Sequence, residues 1–191
     1  MDSHIRLFNF IAQAYRKFYG MQRRMFQPIV AANAKKIGAD QGDSFLDVGC
    51  GTGALVSVLS EAGFKAEGVD AAPKMVAAAR KAGWKCELGD IRNGLPYPDG
   101  SFDFVISSYV AHGINSAFRE TLFREARRIA RKAVIIHDYR GRQSWTTELI
   151  ERLEGGDYFA FVNFAEKEMA NFFGSLEIID VAPANAWYVG R

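Results

Sequence analysis

The chain has 191 residues, 49% of them apolar and 24% charged, with a net charge of +2 at neutral pH. That composition suits one globular domain with a sizeable core and excludes a mainly disordered chain. Charge is uneven: residues 1–39 hold seven Lys/Arg against Asp2 alone, and residues 148–180 hold eight Asp/Glu against Arg152 and Lys167. Both stretches read as solvated helix faces, and the basic one could also steer an acidic ligand. The two cysteines, Cys50 and Cys86, show no CxxC pair and no metal-ligand spacing, so no metal is expected and a reducing, cytoplasmic setting is. No leader segment and no apolar run of about 18 residues is visible, so no membrane span is expected.

Ile5, Phe8, Ile11, Ala12, Tyr15, Phe18 and Tyr19 recur at spacings of three and four, which predicts a helix ending near Gly20. A second helix is expected from Pro28 to Lys36, with proline in its first turn and Gly38 after its end. From residue 44 the pattern changes. Ser44–Val48 reads as a short buried strand, Ala54–Ala62 as a helix stopped by Gly63, and Lys65–Val69 as a second strand closed by Asp70. Pro73–Lys81 reads as a helix stopped by Gly83, and Trp84–Leu88 as a third strand. A Pro/Gly-rich loop, 95–100, leads to a fourth strand, Phe102–Ser107. Phe118, Leu122 and Ile129 mark the next helix, and Ala133–His137 the fifth strand. Trp145, Leu149, Ile150 and Leu153 mark a helix ended by Gly155-Gly156. Asn163 with Glu166 three residues on predicts a further helix start, with Gly174 as its end. Leu176–Val181 and Ala186–Val189 are the last strands, joined too tightly for a crossover and so antiparallel. The expected fold is α/β: a seven-stranded, mainly parallel, doubly wound sheet with helices on both faces and an antiparallel last strand. No boundary divides the chain, which reads as a single domain, 1–191, with residues 1–38 as a helical lid.

Ligands of such sheets bind at the carboxyl ends of the strands. There the first strand runs into Asp47-Val48-Gly49-Cys50-Gly51-Thr52-Gly53. Alternating glycines permit tight turning and close approach of a ligand, the following helix offers its N-terminal N–H groups, and Asp70 supplies a carboxylate about twenty residues on. Asp47-x-Gly49-x-Gly51-x-Gly53 resembles the nucleotide loop of class I, Rossmann-like S-adenosylmethionine-dependent methyltransferases. Gly68–Met75 resembles that family's ribose segment, Gly89-Asp90-Ile91 its adenine segment, and Leu95–Val105 the loop and fourth strand of its small-molecule members, the quinone-biosynthesis type among them. The resemblance covers residues 44–138 and implies S-adenosylmethionine as methyl donor and S-adenosylhomocysteine as product. It implies that Gly49 and Gly51 line the methionine moiety, Gly53 allows close helix packing, and Asp47 holds the loop and the ammonium. Asp70 would bind the ribose, Asp90 the adenine amino group and the Ile91 N–H a ring nitrogen. Ala71 and Met75 would pack on the adenine, and Ser107 would meet the methionine amino group. Two departures leave the acceptor class open: Tyr109-Val110-Ala111-His112-Gly113 after strand four, and Arg131-Lys132 directly before strand five.

The sulfonium is already a good leaving group, so the protein must mainly align the acceptor and exclude water. A base is needed only where the acceptor must lose a proton. Candidate acceptor-side residues are Tyr109, His112, His137, Asp138 and Tyr139, with the first three as possible catalytic groups; His112 is equally readable as a structural histidine. The aromatics of Tyr158–Phe161, beside Gly155-Gly156, could wall an acceptor pocket or fill the core. A small-molecule acceptor is expected, and neither nucleic acid nor a membrane is expected as a partner. The alternatives are an RNA or protein methyltransferase, suggested by Arg119, Arg124, Arg127, Arg128, Arg131 and Lys132, and an NAD-dependent oxidoreductase, since Gly49-x-Gly51-x-x-Ala54 also satisfies the dinucleotide fingerprint. A non-catalytic cofactor-binding module is a third.

Overall fold

The computed structural model describes residues 3–141 and 157–191, with the side chains of residues 3–17 outside the description. The expected helix at Trp145–Leu153 and the Gly155-Gly156 pair lie outside the described residues. The seven strands form a mixed sheet, parallel except at its C-terminal members. The chain divides into two compact units, Met1–Pro96 and Tyr97–Arg191.

The first unit opens on one long helix, α1 (Ser3–Asn33), continued by a 3-10 turn, Ala34–Ile37. Two helices were expected here, with a stop at Gly20 and a start at Pro28. Instead Gly20 sits within α1, and so does Pro28, which has no N–H to return to the preceding turn. Burial accounts for the continuity: Phe26, Ile29, Val30, Asn33 and Ile37 all lie in the interior, and α1 packs on α2 and α3, introduced below. Local propensity gives way to tertiary packing. The turn ends as expected at Gly38, left-handed at φ 79°. One face of residues 26–37, within the expected lid, thus packs into the unit's core.

Three parallel strands follow: β1 (Ser44–Val48), β2 (Lys65–Asp70) and β3 (Cys86–Leu88), in the order β3-β2-β1. The crossovers are α2 (Ala54–Glu61) and α3 (Pro73–Lys81). Proline opens α3 at a position where its missing N–H is no loss, and Gly63 and Gly83, both left-handed at φ 92°, follow the two helices.

The second unit carries β4 (Phe102–Ser108), α4 (Ser116–Ile129), β5 (Ala130–Tyr139), α5 (Tyr158–Ala170), β6 (Leu176–Ala182) and β7 (Asn185–Gly190). Strand order is β4-β5-β7-β6, with β4 and β5 parallel and β7 antiparallel to both its neighbours. Helix α5 begins after Asp157, not at Asn163, whose side-chain N–H instead donates to the Phe159 carbonyl at 2.7 Å inside the helix. Tyr158 and Phe161 are fully buried, so of the expected aromatic wall they are core, and Phe159 is 36% exposed.

Candidate functional site

In the first unit β1 is apolar after Ser44 except for Asp47, which is only 2% exposed. Beyond it Gly49, Gly51 and Gly53 take φ of 81°, 52° and 79°, conformations that side chains beyond glycine rarely adopt. The loop is folded back on the tip of β2: the Gly49 and Cys50 N–H groups donate to the Val69 carbonyl at 2.8 and 3.1 Å. Asp70 fastens it further, its Oδ2 accepting the Gly51 N–H and its Oδ1 the Ala72 N–H, each at 2.8 Å. A Cβ on Gly53 would lie 3.2 Å from the Ala79 side chain and 3.3 Å from Trp84, which is the close helix packing expected of that position.

Two buried oxygens here have no hydrogen-bond partner among the described residues: Asp47 Oδ1 and Thr52 Oγ1. Burial, and then the nearby Asp70 carboxylate, push the Asp47 pKa up to about 8. Burial also raises that of Asp70, against the pull of the Ala72 and Gly51 N–H groups. A buried carboxylate oxygen without a protein donor fits a ligand that brings its own cation, such as an α-ammonium group. Thr52 was absent from the sequence expectations, because a threonine between two loop glycines carries no signal of its own.

The adenine-segment residues are placed less simply. Asp90 caps a 3-10 turn, Ile91–Asn93, and its carboxylate is gripped by Arg92, with Nε at 2.9 and 3.1 Å, Nη2 at 2.6 Å and the backbone N–H at 3.1 Å. Ile91 is buried, Ala71 half-buried, and Met75 is 1% exposed, enclosed by protein.

In the second unit the acceptor-side candidates cluster at the ends of β4 and β5. His112 lies on a 3-10 turn, Ala111–Gly113, and its Nδ1 meets Asp138 Oδ1 at 2.7 Å while its backbone N–H donates to Oδ2 at 3.2 Å. Tyr139 N–H also donates to Oδ1, at 2.8 Å. Asp138 is fully buried. It therefore favours the tautomer with the proton on Nδ1 and leaves Nε2 as the basic nitrogen. Tyr109 is the one non-glycine residue with positive φ (55°) among those described, held by its N–H to the His137 carbonyl at 2.9 Å. Its ring centroid lies 4.9 Å from that of His137 and 5.6 Å from that of Tyr139. Burial, then Asp138, push the Tyr109 phenol up to about 12, so it stays a donor. His137 is fully buried and burial drives its pKa down to about 4, against the pull of Asp138. It is thus a neutral core residue behind Tyr109. Ser107 is buried within β4, paired with Ile136.

The arginines read as a possible polyanion stripe are in part neutralised. Arg119 is fully buried against Glu168 and Asp157, Arg128 pairs with Glu125 and Asp99, and Arg131 reaches Asp103 at 3.3 Å. Among the described residues no helix is long and apolar enough to cross a membrane.

This fold, with a glycine loop after β1, an acid at the tip of β2 and an antiparallel closing strand, is that of the class I, Rossmann-like methyltransferases. A crystal structure of a SAM-dependent methyltransferase from Aquifex aeolicus superposes with a TM-score of 0.68 at 20% identity, over 94% of this chain and 97% of that one. Residues 46–136, just under half of the chain, match the family model described as a methyltransferase domain. A trans-aconitate 2-methyltransferase from Mycobacterium sp. (strain KMS) is 39% identical over 98 residues, 50% of this chain and 36% of the relative. A demethylmenaquinone methyltransferase from Tropheryma whipplei (strain Twist) is 30% identical over 122 residues, 58% of this chain and 48% of the relative. The chain thus spans less than half the length of either curated relative.

Proposed function

We propose that the protein transfers a methyl group from S-adenosylmethionine to a small-molecule acceptor by in-line displacement. The observation that carries this reading is the unpartnered Asp47 Oδ1 beneath the glycine loop. Asp47 and Thr52 would take the amino-acid end of the donor, and Gly49, Gly51 and Gly53 the close approach of its backbone. Asp70 would hold the ribose, and Asp90, Ile91, Ala71 and Met75 the adenine, Arg92 yielding part of the Asp90 carboxylate. Ser107 would offer its backbone to the amino group. When bound, the donor supplies an electrophilic methyl on a sulfonium. Asp138 fixes the His112 ring so that Nε2 can take the proton of an acceptor O–H, N–H or activated C–H, and it stabilises the imidazolium that results. Tyr109, protonated, would orient the acceptor by donating to it.

A small acceptor is favoured over RNA because Arg119 is fully buried and Arg128, Arg131 and Lys132 each have a carboxylate partner, which weakens the stripe of six cations that a backbone would need. The relatives' names make trans-aconitate and a demethylmenaquinone the first acceptors to assay. We extend the reading to the whole 191 residues as one catalytic domain, with the part of α1 before Phe26 as its lid; Phe18, Met21 and Met25, in the middle of that helix, are exposed. Calorimetric titration with S-adenosylmethionine and S-adenosylhomocysteine tests the proposal. One-to-one binding, weakened about tenfold to a hundredfold in Thr52→Val or Asp47→Asn, is the expected result, the loss matching one or two hydrogen bonds, at least one of them to a charged group. Absence of binding to folded protein removes the reading.

A further inference from the structure

Arg119 has a place in the second unit that the polyanion reading did not foresee. It stands in the first turns of α4, where its N–H donates to the Asn115 carbonyl at 2.9 Å, and its side chain turns inward to full burial. A guanidinium has five N–H bonds, and here each has an acceptor. Nε donates to Glu168 Oε2 at 2.6 Å, and Nη2 donates to Glu168 Oε1 at 2.8 Å and to Asp157 Oδ2 at 3.1 Å. Nη1 donates to the Ile114 carbonyl at 2.6 Å and reaches the Ala111 carbonyl at 3.5 Å. The Phe161 ring lies beneath, 5.8 Å from the guanidinium carbon. With every donor engaged, Arg119 has none to give an anionic ligand, which sets aside a carboxylate- or phosphate-binding role.

What those donors hold is informative. Ala111 and Ile114 bracket the turn that carries His112, so Arg119 grips the turn by carbonyls on either side of the histidine, while Asp138 grips the histidine itself by N–H and by Nδ1. Glu168 and Asp157 tie the same guanidinium to α5 and its start. Replacing a buried ion pair by apolar packing is commonly neutral or stabilising, so stability alone gives little reason for one here. A planar fork with fixed donor directions does give a reason, because it sets the geometry of the groups it holds. We propose that Arg119 is a positioning residue that fixes the His112 turn, and through it the His112–Asp138 hydrogen bond, by clamping the Ala111 and Ile114 carbonyls to Glu168 and Asp157. The catalytic meaning of this rests on His112 being the acceptor-side base proposed above; the clamp itself does not.

The test uses the full chain labelled with nitrogen-15 in histidine and in the backbone. With three histidines in the sequence, His112→Gln assigns the His112 signal. Solvent exchange of the His112 Nδ1 proton is compared with amide exchange in β7, in the native protein, in Arg119→Lys and in Glu168→Gln. The lysine keeps the charge and loses the fork; the glutamine keeps the guanidinium and loosens its anchor. Exchange at His112 at least tenfold faster, with β7 unchanged, is the expected result in both. Acceleration of both signals together, or of neither, overturns the proposal. Should Arg119→Lys not fold, Glu168→Gln is judged by the same criterion. Binding of S-adenosylhomocysteine is measured alongside. Its absence from the native protein would count against the methyltransferase reading while leaving the clamp to stand or fall on the exchange data.

Discussion

Burial, and after it the neighbouring Asp70 carboxylate, raises the proton affinity of Asp47 and carries its pKa up to about 8. A ligand ammonium seated against Asp47 would reverse this by favouring the ionised carboxylate. Near pH 7 the binding of S-adenosylhomocysteine should therefore release up to one proton. Calorimetry in buffers of different ionisation enthalpy measures this directly. Asp47→Asn should abolish the release along with most of the affinity; unaltered proton release in that variant would separate Asp47 from the ligand.

The same shift acts on folding, with a definite sign. The Asp47 pKa is raised in the folded chain from 3.8 to about 8, so in that interval the folded state binds more protons than the unfolded one. Its contribution to stability therefore falls as pH rises through the window. Ligand-free protein should lose melting temperature between about pH 6.5 and 8, and Asp47→Asn should flatten that decline. A more stable but non-binding variant is the expected signature of a buried carboxyl kept for a ligand's cation at a cost to the fold.

His137 works in the opposite direction. Its pKa falls from 6.5 to about 4 on folding, so between those values the unfolded state binds more protons and stability drops as pH falls. Between pH 6.5 and 4 the Asp47 contribution runs the other way and offsets it, so on acidification over this range His137→Phe should gain stability relative to the native protein. Melting curves over that range decide it; an unchanged slope would show that His137 is not the titrating group.

Gly20 lies exposed within α1, and among the described residues nothing beyond its own chain neighbours and helix backbone lies within 4 Å of where a Cβ would stand. Gly20→Ala should stabilise the protein by about 1 kcal/mol, the difference in helix propensity, without altering ligand binding. Denaturant unfolding measures it.

Gly68 behaves oppositely. A Cβ there would fall 2.6 Å from Cys50 Cβ and Sγ. Gly68→Ala should destabilise by about 1–3 kcal/mol, as overpacked cores do. It should also weaken S-adenosylhomocysteine binding, because the residue displaced belongs to the glycine loop.

Much of the fold was legible because its signals are local. Pro73 and Gly83 bracket α3, and the few residues between β6 and β7 forced an antiparallel turn. What was not legible depended on distant packing. Gly20 and Pro28 spoke for two helices, and burial of Phe26, Ile29 and Val30 made one. Asn163 spoke for a helix start five residues inside the helix that formed. In the site, Asp47 and Asp70 could be found because a carboxylate at a strand end breaks the apolar pattern. Thr52 and Arg119 could not, since their meaning lies in a missing partner and in partners as many as 49 residues away.

Cys50 sits between two glycines of the loop, with its thiol buried beside Cys86 and its pKa raised by the hydrogen bond to that thiol and by burial. A thiol so placed is sheltered from a bulky disulfide reagent unless the loop swings open. Cys50 is therefore a clock built into the loop, whose labelling rate reads how often it opens and should slow when S-adenosylhomocysteine is added.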